Sequence, residues 1–186
     1  MRWKNAATML LVPMLLAAAL PEEPKSNSDT VKVSLPGTSW SLVLDLPGFS
    51  VEKNEVEPDG RRYMLATNSA TGVVIATYVE KVNAPADLEG CKATLEKRAK
   101  ADTPSKKLGV SIYDLNQMKV LEYLVPELEG RRVRQKNFFV CLPKEDVFVD
   151  IHFSKAGWQL GQEKLFAVIL ANLRFEENPA ATGDNR

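Results

Sequence analysis

Short turns between alternating runs constrain this chain more than any other feature. Thr38–Leu46 sets Trp40, Leu42, Leu44 and Leu46 on one side, and Ser39, Ser41, Val43 and Asp45 on the other. Successive side chains of a strand point to opposite faces, so this period of two predicts a strand with one buried face. Pro47-Gly48 ends the run. Phe49–Glu57 follows, Pro58-Asp59-Gly60 turns the chain, Arg61–Asn68 returns, and Ala70-Thr71-Gly72 leads into Val73–Val82. Parallel strands need a crossover of about a dozen residues or more, so connections this short predict an antiparallel meander.

The period then changes. Leu88, Cys91, Leu95 and Ala99 recur at helical spacing behind Pro85, opposite Glu89, Lys92, Glu96, Lys97 and Lys100. This predicts an amphipathic helix over Pro85–Ala101, with Pro in a first turn where its missing N–H is harmless. Asp102–Gly109 reads as a loop and Ser111–Tyr113 as a short strand. Met118–Val125 has the β-branched and aromatic content of a strand, although Leu115, Met118 and Leu121 also suit a helical turn. Gly130 opens a hairpin of Arg131–Leu142 and Val147–Phe153 around Pro143–Asp146. Phe138, Val140 and Leu142 lie on one face of it and Phe139 and Cys141 on the other, the pattern of a central strand covered on both sides. Gln159–Leu173 predicts a second helix, with Leu165, Phe166, Ile169, Leu170 and Leu173 on its apolar stripe. Strand runs separated by two helices define an α+β class, a twisted antiparallel sheet with two main helices packed on it.

The first residues supply an address. Arg2 and Lys4 precede an apolar run from Ala6 that ends in Ala17-Ala18-Ala19, the layout of an export signal cleaved after Ala19. Residues 1–19 are therefore expected to be the signal, 20–30 a polar linker, 31–175 one α+β domain, and 176–186 a disordered tail. An uncleaved N-terminal anchor is the other reading of residues 1–19. No later segment has the roughly 20 apolar residues of a membrane span. Without Arg2 and Lys4 the 24 basic residues become 22 against 24 acidic, a charge of −2, which lacks the basic footprint of a nucleic-acid binder. The 45% apolar content suffices for a core.

Few residues suggest chemistry. Cys91 and Cys141 are the only cysteines. A helix lying on the central strand would bring them together, and export makes a disulfide the expected state, with two separate buried thiols as the alternative. His152 is the only histidine, two positions from Asp150 on a strand; zinc sites need three or four ligands, so a structural role is expected and no metal or other cofactor is implied. No Gly-X-Ser-X-Gly, Cys-X-X-Cys, His-Glu-X-X-His, EF-hand or Gly-rich phosphate loop occurs. Arg131, Arg132, Arg134 and Lys136 form a basic cluster. On a regular strand Arg132, Arg134 and Lys136 project together, either as a surface for an anionic partner or as a solvated hairpin end. Trp158 either caps the sheet or lines a cleft.

The Trp40–Pro47 strand, the Gly130-Arg131-Arg132 turn into the long hairpin, and the closing Leu165–Phe175 segment resemble the PsbP-like superfamily, which includes DcrB-type periplasmic proteins. The resemblance covers most of Val31–Phe175. It implies an α/β/α sandwich and a small exported binding or accessory protein, mostly non-enzymatic, with a protein or small-molecule partner. A small hydrolase using scattered carboxylates and a carrier of a lipid or apolar ligand are the alternatives. Periplasmic or extracellular location follows from the export signal.

Overall fold

A computed structural model describes residues 30–101 and 105–178. The expected signal and nearly all of the linker, as well as the tail from residue 179, lie outside the described residues. Twelve elements follow in order: β1 (Thr30–Val33), β2 (Trp40–Asp45), β3 (Ser50–Val56), β4 (Arg62–Asn68), β5 (Val73–Lys81), α1 (Leu88–Lys100), β6 (Leu108–Leu115), β7 (Met118–Leu128), β8 (Arg131–Lys144), β9 (Val147–Lys155), α2 (Lys164–Ala171) and β10 (Arg174–Glu177).

Seven strands form one antiparallel sheet in the order β3-β4-β5-β9-β8-β7-β6. The meander of β3, β4 and β5 stands as the short turns require, and Met118–Leu128 is a strand rather than a helical turn. The expected first strand departs from the meander. β2 lies between β1 and β10 in a separate three-stranded sheet. Gly48, at φ 75°, and the Phe49 N–H donating to the Leu46 carbonyl swing the chain out of the small sheet and into the large one. Both faces of β2 are buried, because Val43 is as inaccessible as Leu42 and Leu44, and Ser41 Oγ donates to Asn178 Oδ1 at 2.6 Å.

The small sheet and α2 cover one face of the large sheet. Trp40, Leu42, Leu44 and Leu46 meet Met64, Ile75, Val140, Ile151 and Phe153 there in one continuous core. α1 covers the other face, chiefly over β6, β7 and β8. Its smaller core gathers Cys91, Leu95, Leu121, Tyr123, Phe139 and Cys141. Asp87 caps α1: its Oδ1 accepts from the Gly90 N–H at 2.7 Å and satisfies a donor that the helix itself cannot. The helix therefore begins at Leu88, not Pro85.

The C-terminal region differs most from expectation. The helix foreseen over Gln159–Leu173 is confined to Lys164–Ala171. Gly161 at φ 88° and the Gln159 N–H bonded to Gln162 Oε1 hold the preceding residues in a turn. After α2 the chain extends to pair Phe175 with Leu42 and Glu176 with Ser41. Phe175 packs edge-on to Trp40 with ring centroids 5.0 Å apart. Glu176 pairs with Lys32 at 2.8 Å, so the first residues of the expected tail are strand.

Candidate functional site

The basic cluster does not form one surface. β8 carries a bulge: Gln135 lies opposite Val125 and Arg132 opposite Glu127, so Val133 and Arg134 share the space across from Pro126. Arg134 takes φ 45°, and the carbonyls of Val133 and Arg134 turn outward to accept from Gly157 and Trp158 N–H groups. One extra residue inverts the alternation, so Arg132 shares a face with Gln135 while Lys136 points to the opposite face. Lys136 is also engaged, 3.2 Å from Glu122 and over the Phe138 ring. Trp158 is buried and stacks on Phe166 at 5.3 Å, so it caps the core rather than projecting as a binding surface.

The two cysteines do meet. Cys91 on α1 and Cys141 on β8 form a disulfide, with Cα atoms 5.5 Å apart across a separation of 50 residues. Beside it lies a polar cluster built from the same face. The His152 ring stacks on Phe139 at 4.0 Å, and the Arg98 guanidinium lies 4.3 Å from the Phe139 centroid. Arg98 also holds Asp150 through two bonds of 3.0 and 2.5 Å, tying α1 to β9. Asn137 Oδ1 accepts from Gln135 Nε2 at 2.9 Å and lies 3.0 Å from His152 Nε2, which places the imidazole proton on Nε2. His152 thus donates from Nε2 to an amide oxygen. Among the described residues no group of three or more His, Cys, Asp or Glu side chains is placed to hold a metal.

Burial, with a lesser push from the Arg98 charge, lowers the His152 pKa to about 4. An unfolded histidine titrates near 6.5, so between these values the unfolded chain binds more protons than the folded one. Stability is then fully present above pH 6.5 and falls as pH drops towards 4, by up to about 3 kcal/mol from this residue. His152→Gln is expected to flatten that part of the profile. Urea midpoints of both proteins at pH 7 and pH 4.5 check this; an equal loss in both contradicts it.

An apolar recess lies on the other side of the large sheet. A cleft of about 390 Å³ runs between α2, the turn after β2, and the β4–β5 turn. Pro47, Phe49, Val73, Leu165 and Ile169 form its floor and walls, and Val168 stands 58% exposed at its mouth. The β4–β5 turn is held by Asn68, whose Oδ1 accepts from Thr71 N–H, and by the Lys155 ammonium, which donates to the Thr71 carbonyl. Polar groups at the rim are Asp45, Asn68, Thr71, Lys164 and Asn172. Arg174 and then Thr30, by hydrogen bonding, hold the Asp45 carboxyl below its usual range. A wider hollow of about 600 Å³ between Pro36 and Arg61 sets Asp59, Arg61, Glu80 and Lys81 beside Leu35, Pro36 and Val56, a more heavily charged lining. None of the cleft residues was legible as a site; the signals available were Pro47-Gly48 followed by Phe49, and the apolar Val168 off the buried stripe of its helix.

The layers, the two helices and the strand order define an α+β domain of PsbP-like fold. No protein-family model matches the chain, and no curated protein matches it. Among solved structures, cyanobacterial PsbP (CyanoP) from Synechocystis sp. PCC 6803 is 12% identical, with a TM-score of 0.52 over 87% of this chain and 98% of that one. A protein from Bacteroides thetaiotaomicron is 13% identical, with a TM-score of 0.52 over 83% of this chain. The chain spans only 50% of that protein's length. At such identities the likeness is one of fold, and fold alone does not assign an activity.

Proposed function

We propose that the chain is an exported, non-catalytic binding protein and that the cleft under α2 holds its ligand. The carrying observation is the cleft itself: a concave site of about 390 Å³ with an apolar floor and a few polar groups at one rim. Ligand sites have this form, with volumes of roughly 300–1,000 Å³. Export is supported by the Cys91–Cys141 disulfide and by the signal-like pattern of residues 1–19. A non-catalytic role is supported by His152, which is spent on Asn137 and Phe139.

Native mass spectrometry of protein purified from its own cell envelope tests this. The expected result is a single small adduct that is lost in Val168→Asp, a substitution at an exposed position that leaves the core intact. Wild-type protein that carries no adduct and takes up no added amphiphile contradicts it.

A second reading, docking of a protein partner, has one observation in its favour. β6 is an edge strand with Leu108, Val110 and Tyr113 exposed, whereas the opposite edge, β3, is guarded by Glu52, Lys53 and Glu55. Unguarded edges invite strand addition. Val110→Lys is expected to abolish capture of such a partner from the same envelope; unchanged capture removes this reading.

A further inference from the structure

The polar atoms at the cleft rim are not neutral in their demands. We infer that the ligand is a single-chain amphiphile with a carboxylate head, bound with its alkyl chain on the apolar floor and its head between Lys164 and Asn68; this rests on the cleft reading above.

Several rim groups are already satisfied within the protein. Asp45 receives the Arg174 guanidinium at 2.7 Å and the Thr30 hydroxyl at 3.0 Å. Asn172 Nδ2 donates to the Val168 carbonyl. Thr71 Oγ1 accepts from Val73 N–H and keeps its own proton to donate. With it, two nitrogen donors remain. The Lys164 ammonium makes no hydrogen bond or ion pair with any described residue, and the cleft's one acid, Asp45, is not within ion-pair distance of it. Asn68 lines the cleft, its Oδ1 is committed to Thr71 N–H, and its Nδ2, beside Gly48, has no protein acceptor. That nitrogen is open to solvent, and a ligand that covers it without accepting from it incurs the cost of an unmet donor.

A ligand that fits must therefore supply acceptors, and a negatively charged one gains most. The Lys155 ammonium behind the β4–β5 turn adds positive potential, while the Asp45 charge is matched by Arg174. Lys164 opens α2, so its charge stands at one end of the helix while Leu165, Val168 and Ile169 present the apolar surface along it. That places a charged head and an alkyl chain end to end along one helix. A cationic head meets two ammonium groups, and a purely apolar ligand leaves Asn68 unpaired.

The discriminating experiment compares decanoate, 1-decanol and decyltrimethylammonium binding to the full chain at pH 7.5 by isothermal titration. Hydrogen bonds to a charged group contribute about 1.5–3 kcal/mol, so decanoate is expected to bind about 10- to 100-fold more tightly than decanol. Lys164→Gln should erase most of that preference, and Lys164→Glu should shift preference to the ammonium ligand. Lys164 is exposed, so both variants are expected to fold, which circular dichroism verifies. Equal binding of decanoate and decanol, or a preference unaffected by Lys164→Gln, overturns the carboxylate inference and leaves the cleft reading standing. Failure of all three ligands to bind overturns both.

Discussion

Cys91→Ala/Cys141→Ala is expected to lower the folding stability by roughly 4 kcal/mol. The bond closes a segment with a sequence separation of 50, and a cross-link of that span removes much of the unfolded chain's freedom. Its effect is large because α1 has few other anchors. The helix buries only Cys91 and Leu95; Arg98 ties it to Asp150 and lies over the Phe139 ring, and the Lys107 ammonium donates to the Arg98, Ala99 and Ala101 carbonyls at its C-terminal end. Urea unfolding of the double variant and of wild type, each with and without reductant, measures the effect. Reductant should move wild type to the variant's midpoint and leave the variant unmoved. A wild-type midpoint indifferent to reductant, or two thiols free to alkylate in the native protein, contradicts it. The cleft lies on the opposite face, so ligand affinity of the folded variant should stay within about twofold of wild type, because distant sites are additive within about 0.5 kcal/mol.

Phe166→Ala is expected to cost about 3–5 kcal/mol and to loosen the cleft as well. Phe166 is almost wholly buried and touches three aromatic rings: Phe138 at 4.8 Å, Trp158 at 5.3 Å and Phe153 at 5.8 Å. α2 has only eight residues and no side-chain cap at its N-terminus. Helices that short are not stable alone, so packing through Phe166, Ile169 and Leu170 holds this one in place. Losing the ring leaves a cavity beneath the helix that carries Lys164, Leu165 and Val168 into the cleft. Phe166→Leu, which keeps much of the volume, should recover most of the stability and affinity. A loss below about 1 kcal/mol in Phe166→Ala, against the usual range for buried aromatics, contradicts this packing.

The sequence exposes the local parts of this fold and hides the long-range ones. Turn residues at Pro47-Gly48, Pro58-Asp59-Gly60 and Ala70-Thr71-Gly72 mark the strand ends because their chemistry is local. Both-face apolar character at Phe138–Leu142 shows a central strand for the same reason. β10 escapes notice because Arg174–Glu177 is four residues long and is made a strand by Leu42 and Trp40, far away in the chain. The division into two sheets is hidden too, since the β2 alternation shows a buried face without showing which sheet buries it. The bulge at Arg134 has no residue signature, as a non-glycine at positive φ is set by tertiary context. That one residue undoes the apparent basic face. The cleft is assembled from a turn, a strand start and a helix, so no contiguous motif announces it.

Where a ligand lands on the protein decides whether the cleft under α2 is its site. Amide ¹H–¹⁵N shifts followed during titration with decanoate report this residue by residue. The expected result is a saturable set of shifts at Phe49, Asn68, Thr71, Val73, Leu165, Val168 and Ile169, absent in Val168→Asp. Shifts centred on β6 or on the Arg131–Lys136 stretch of β8, or no saturable shifts at all, would contradict a ligand site under α2.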